Sequence, residues 1–169
     1  MKTKILAIAA AGLVAVVWWM SSPSRTDIDV VENQAGRPGV KSTDFESTVS
    51  GIDANENGVR DDIERYIAKT YPAPAQRAAM MQYARAQQNY LLTATTPEKA
   101  KAAAQMLWQS FACARRQFGK EWLDLTKDIL AMHLNTGVRY KAYARAQDNL
   151  AGQIVDSYTG DDACIQDAG

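Results

Sequence analysis

The chain has little of the chemistry from which enzyme active sites are usually built. It contains one histidine, His133, and two cysteines among 169 residues. It shows no zinc-type pair of histidines, no G-x-S-x-G elbow, no glycine-rich phosphate loop and no cysteine–histidine dyad. His133 stands between Met132 and Leu134, which is typical of a core or helix-end residue. We therefore predict a non-catalytic protein; acid pairs such as Glu121 with Asp124 leave a hydrolase with an unconventional site as an alternative.

The chain also lacks an excess of positive charge. Lysine and arginine match aspartate and glutamate at 19 each, and removal of residues 1–24 would take away Lys2 and Lys4, leaving a mildly acidic domain. Nucleic-acid binding requires clustered positive charge that neutralises phosphates. The composition therefore argues against a nucleic-acid partner.

No segment alternates apolar and polar residues with the period of a β-strand, whereas apolar residues recur at helical spacing over most of the second half. Proline and glycine divide this region into helix-length pieces. The sequence predicts an all-α fold, a bundle of four to five helices. The expected helices cover about 60–70, 74–92, 97–118, 120–134 and 138–158. The inward pattern of the fifth continues to Ile154. The predicted inward stripe of the third comprises Ala104, Leu107, Trp108, Phe111, Arg115 and Phe118.

The N-terminus has the pattern of an export signal. Lys2 and Lys4 precede an apolar run from Ile5 to Met20, and "SSPS" follows it. The run is slightly shorter than the ~20 residues that span a bilayer comfortably, and its cleavage site is weakly marked. Residues 1–24 are thus a signal peptide or a membrane anchor, and both place the remaining chain outside the cytoplasm, periplasmic or secreted.

The rest of the chain divides into a linker and one domain. Residues 25–48 are rich in Ser, Thr, Asp, Gly and Pro and have no apolar period, which indicates a linker. Residues 49–169 form the predicted helical domain. Because an exported protein meets oxidising conditions, Cys113 and Cys164 are expected to form a disulfide, the one pairing available.

The stretch "DANENGVRDDIE", residues 53–64, carries oxygen-bearing residues at alternate positions. A calcium loop of the EF-hand type needs donors at its first, third, fifth, seventh, ninth and twelfth positions and glycine at the sixth. Gly58 occupies the sixth position. The six donors here are Asp53, Asn55, Asn57, the carbonyl of Val59, Asp61 and Glu64.

This stretch resembles the EF-hand loop, and more closely the single loop with an exit helix found in dockerin-like modules. It is also similar to "D-x-N-x-N-G-V-R-D-D" segments of small exported bacterial proteins without an assigned function. The resemblance implies Ca²⁺ as the cofactor, held by the six residues above. Two departures are visible: Arg60 stands at the normally apolar eighth position, and no second loop of this kind occurs, so a paired calcium sensor is not expected.

An alternative interpretation needs no metal. In it, Asp61 or Asp62 caps the following helix and "ENG" forms a turn, although alternate Asp53, Asn55 and Asn57 are then unexplained. With the metal, the sequence predicts an exported calcium-binding helical protein that binds an envelope or secreted protein. A purely structural calcium-stabilised envelope protein is the alternative, and the membrane is involved only through residues 1–24 if these are retained.

Overall fold

The computed structural model describes residues 48–165. The predicted signal or anchor, and the linker up to residue 47, lie outside this range. Over residues 48–165 the chain is helical and contains no strand, so the predicted all-α class is confirmed for this part. The helices are α1 (Asp61–Thr70), α2 (Pro74–Thr93), α3 (Pro97–Phe118), a 3₁₀ turn (Gly119–Glu121), α4 (Trp122–His133) and α5 (Gly137–Leu150).

Local sequence signals explain most of these boundaries. Pro74 and Pro97 occupy first-turn positions, where a missing backbone N–H costs nothing. The Thr96 hydroxyl caps α3 by accepting a hydrogen bond from the Lys99 N–H, 3.3 Å away, and Thr136 caps α5 in the same way. Gly119, at φ +58°, ends α3.

The long helices α2 and α3 pack against each other as the centre of the bundle, and α1, α4 and α5 pack around them. The core they enclose mixes aliphatic, aromatic and many alanine side chains, which allow close approach of the helices. Its buried members include Val59, Ile63, Ile67, Met80, Tyr83, Ala84, Tyr90, Ala100, Ala104, Leu107, Ile129 and Ala146. Among residues 48–165, no helix is both long and apolar enough to cross a membrane.

Two details of the predicted helices are wrong. The last helix ends at Leu150 rather than near Tyr158, because Gly152 adopts φ +77° and the chain after it is irregular. On α3 the predicted inward stripe included Trp108 and Arg115, yet both are exposed. Ala104 and Leu107 are buried as predicted, and the rest of the buried face is formed by the small residues Ala100, Ala103, Ser110, Cys113 and Ala114.

The irregular C-terminal segment, residues 151–165, is fixed onto the bundle. Cys113 on α3 and Cys164 form the predicted disulfide, with Cα atoms 4.8 Å apart. The buried side chain of Gln82 on α2 holds the same segment twice. Its amide nitrogen donates to the Ala163 carbonyl at 2.8 Å, and its amide oxygen accepts from the Ile165 N–H at 2.9 Å.

Candidate metal centre

Residues 53–60 form a tight loop whose backbone turns back on itself before α1. The Asp61 N–H donates to the Ile52 carbonyl at 2.9 Å, which closes the loop at its base. Gly58 has φ +83°, and Glu56 adopts φ +56°, a conformation that few non-glycine residues take. Gly58, the sixth position of the loop, therefore provides the sharp backbone turn for which calcium loops of this type use glycine.

The side chain of Asp53 faces into this turn. One of its carboxylate oxygens accepts the Asn57 N–H at 3.1 Å, and the other accepts the Gly58 N–H at 2.8 Å. Asp61 faces the loop from the opposite end, because its Oδ1 accepts the Ala54 N–H at 3.0 Å. Both carboxylates thus accept hydrogen bonds from backbone N–H groups of the loop, but from different ones.

The two asparagines continue the same pattern. The Asn55 side-chain oxygen accepts the Asn57 N–H at 3.3 Å, and that of Asn57 accepts the Val59 N–H at 2.9 Å. A carbonyl oxygen has two lone pairs, so each of these oxygens keeps one acceptor position after the turn is formed. These hydrogen bonds orient both side chains without using up their capacity to hold a cation.

Glu64, in the first turn of α1, closes the set. Its carboxylate accepts hydrogen bonds from the side-chain amides of Asn55, at 3.3–3.5 Å, and of Asn57. Asp53, Asn55, Asn57 and Glu64 therefore belong to one hydrogen-bonded network, whereas Asp61 bonds separately to the Ala54 N–H. Val59 itself is fully buried in the core, which fixes the backbone that carries the sixth donor.

The hydrogen bonds of the loop do not support the capping alternative. The residue at the N-cap of α1 is Arg60, and no side chain caps this helix end. Asp61 bonds to the loop, while Asp62 forms a buried ion pair with Arg60, at 2.9 Å to Nε and 2.5 Å to the terminal nitrogen. Asp62 thus points away from the loop and is no part of the candidate donor set.

Arg60, the departure at the eighth loop position, has a structural role. Its side chain is 1% exposed and, besides pairing with Asp62, donates to the Met132 carbonyl at 3.2 Å. The loop is therefore tied to the end of α4 rather than to a second loop. Gly51 packs against this arrangement, since a Cβ there would lie 2.7 Å from the Arg60 side chain.

Further polar contacts attach the loop to the helices. Arg85 on α2 donates from Nε to the Asn57 carbonyl at 2.8 Å. Gln88 donates to the Ser50 carbonyl at 2.8 Å, and Arg139 on α5 donates to the Val49 carbonyl at 3.4 Å. Sequence analysis missed these positions. In the sequence, each of them is visible only as a polar residue at an inward position of a helix face. Such a residue does not indicate which group it will bond to.

The single histidine, His133, lies at the end of α4, fully buried near Arg60 and Arg139. Burial, and then the positive charges of these two arginines, hold the pKa of His133 well below its usual value. The ring is therefore neutral at physiological pH. A buried neutral imidazole beneath the loop is a packing residue and is not part of the candidate donor set.

By residue type, the predicted donor set suits Ca²⁺ better than a transition metal. Within residues 48–165 no three Asp, Glu, His or Cys side chains form a group that could hold a metal ion, so the structure does not gather the predicted carboxylates of Asp53, Asp61 and Glu64 around one point. The loop offers oxygen donors only. Three carboxylates, two amide oxygens and a backbone carbonyl match the hard, flexible oxygen coordination of Ca²⁺. In the structure the loop oxygens are held by N–H donors, and an ion would have to replace the amide contacts to Glu64.

Comparisons of the chain with protein-family models, with curated proteins and with solved structures find no match. The interpretation of the loop therefore depends on its own residues and their geometry.

Proposed function

We propose that residues 53–64 bind one Ca²⁺ through Asp53, Asn55, Asn57, the Val59 carbonyl, Asp61 and Glu64. The observation that carries this proposal is the approach of Glu64 to Asn55 and Asn57 across nine and seven residues of chain. This contact puts the last donor position beside the third and the fifth. A helix cap or an ordinary turn does not require it.

The ion organises the N-terminal edge of the helical domain. Its six donors come from the loop and the first turn of α1. Arg85 ties the loop to α2 and Arg60 ties it to α4, while Arg139 on α5 holds Val49 just before it. With three carboxylates and two neutral amides, we expect a dissociation constant in the weak extracellular range of about 10⁻⁴–10⁻³ M. Such a site suits a calcium-rich compartment outside the cytoplasm and a structural ion.

Around this site we propose an exported, non-catalytic protein that binds an envelope or secreted protein. The export signal in residues 1–24 and the sparse catalytic inventory support this proposal. A purely structural calcium-stabilised envelope protein is the alternative, and it predicts the same ion without a partner surface.

Thermal unfolding tests the ion directly. At 10 mM Ca²⁺, a site of this affinity stabilises the folded state by about 1.4–2.7 kcal/mol relative to chelator, which corresponds to a rise in Tm of about 5–10 °C for a domain of this size. Asp53→Ala removes this rise. The control variant Asp124→Ala, which changes an exposed acid on α4, retains the rise. A parent protein whose Tm is the same in Ca²⁺ and in chelator contradicts the proposal.

A further inference from the structure

A groove of about 440 Å³ runs between α1 and α2 and opens to solvent. Its lining is mostly apolar, with Ala68, Pro74 and Ala78 exposed, Met81 half-buried and Ile67 fully buried beneath them. Each wall contributes one arginine, Arg65 from α1 and Arg77 from α2. The groove is lined by Glu64, Arg65, Ile67, Ala68, Pro74, Arg77, Ala78 and Met81.

The charge on the α2 wall is available to a ligand. Arg77 is half-buried and donates to the Tyr71 carbonyl at 3.3 Å, and within residues 48–165 it has no carboxylate partner. A guanidinium presents several N–H groups in a fork that matches a carboxylate. An apolar lining beside such a cation fits a ligand that carries apolar side chains next to acidic ones, and Met81 can adapt to their shape.

Glu64 connects this groove to the candidate calcium loop. It lines the groove, while its carboxylate accepts hydrogen bonds from Asn55 and Asn57. Without an ion, this negative charge opposes an acidic ligand at the end of the groove. A Ca²⁺ bound by the loop removes most of this repulsion, because its two positive charges offset two of the three negative charges on Asp53, Asp61 and Glu64.

We propose that the groove between α1 and α2 binds an acidic, apolar segment of a protein partner, and that Ca²⁺ in the loop strengthens this binding. The inference rests on the proposed calcium site and deepens it by naming the partner's chemistry. Arg77 pairs with an acidic side chain of the segment, and the apolar residues of the segment cover Ala68, Ala78 and Met81. Glu64 transmits the presence of the ion because it belongs to both sites.

The test uses the full chain and a fluorescein-labelled decapeptide of alternating leucine and aspartate, followed by fluorescence anisotropy. We expect binding that is about threefold to tenfold tighter in Ca²⁺ than in chelator. Arg77→Gln should weaken it about tenfold in Ca²⁺, whereas Arg145→Gln, an exposed position on α5 that does not line the groove, should not. In Asp53→Ala, Ca²⁺ should no longer change the affinity, which controls for ions bound by the peptide itself.

Three results overturn the inference. The first is that a leucine–lysine decapeptide binds as tightly as the leucine–aspartate peptide, or that Arg77→Gln binds the acidic peptide as tightly as the parent protein does. The second is a peptide affinity that is the same with Ca²⁺ and with chelator. If Ca²⁺ still raises the Tm, this result contradicts the groove proposal but not the calcium site; if the Tm is also unchanged, it contradicts both. The third is tighter binding after Asp27→Asn, Asp29→Asn and Glu32→Gln together, since the occupant would then be the chain's own acidic segment.

Discussion

At the scale of single residues, Gly58 is the position where the loop depends most on the absence of a side chain. Its φ is +83°, and a Cβ would lie 3.2 Å from Cγ of Arg85. Gly58→Ala should therefore lower the free energy of unfolding by about 1–3 kcal/mol. Gly137→Ala, where a Cβ meets nothing within 4 Å, serves as the matched control in urea unfolding; equal losses in the two variants would show that the loop is not constrained at Gly58.

The Arg60–Asp62 pair is a second residue-scale feature, and it is almost completely buried. Removing one partner of such a pair leaves a charge in the interior without its counter-ion. We expect Asp62→Ala to destabilise the protein by about 3–5 kcal/mol. Asp124→Ala removes only the exposed pair with Lys127 and should have little effect. A small change for Asp62→Ala in chemical denaturation would mean that water reaches Arg60.

At the scale of elements, the C-terminal segment is attached by both covalent and polar contacts. The Cys113–Cys164 bridge spans 51 residues, and closing a loop of that size stabilises a fold by about 3–4 kcal/mol in the chain-entropy description. Cys113→Ala with Cys164→Ala should lose that much stability in urea unfolding. An unchanged midpoint would mean that Gln82 and the other polar contacts hold the segment alone.

The element boundaries also show what the sequence can predict and why the rest escapes it. Pro74, Pro97 and Thr96 act through local geometry, so the starts of α2 and α3 were predicted correctly. The predicted end of α5 was wrong because the helix stops before Gly152, at φ +77°, although the apolar pattern continues to Ile154. Trp108 follows the inward spacing of α3 but is 41% exposed, since alanines form the close contact between α2 and α3 and leave the large ring at the edge.

In the candidate site, too, local patterns were predicted and long-range contacts were not. The spacing of Asp53, Asn55 and Asn57 is a local signal and was readable from the sequence. Arg85, whose contact with the loop spans 28 residues of chain, was not predicted, because a long-range polar contact leaves no periodic trace. The burial of Arg60 was equally unreadable, since an arginine in a loop is ordinarily exposed.

At the scale of the whole molecule, His133 makes stability depend on pH. Its pKa is lowered in the folded state by burial and by Arg60 and Arg139, whereas in the unfolded chain it is about 6.5. The unfolded state therefore binds more protons below that pH, and stability falls by up to about 1.4 kcal/mol per pH unit as the pH drops from 6.5. Urea unfolding at pH 7.5, 6.5 and 5.5 measures this slope.

His133→Gln provides the control for this prediction, because the chain has no other histidine. In this variant the slope between pH 6.5 and 5.5 should largely disappear, whatever its absolute stability. A parent protein as stable at pH 5.5 as at pH 7.5 would show that the imidazole is protonated and accommodated in the folded state.

Isothermal titration calorimetry with CaCl₂ measures whether residues 53–64 hold one ion. We predict one site per chain with a dissociation constant of about 10⁻⁴–10⁻³ M. Glu64→Gln should abolish the binding heat, while Glu98→Gln, in the first turn of α3 and outside the loop, should retain it. Absence of a binding isotherm in the parent chain, or an unchanged isotherm in Glu64→Gln, would contradict the calcium site.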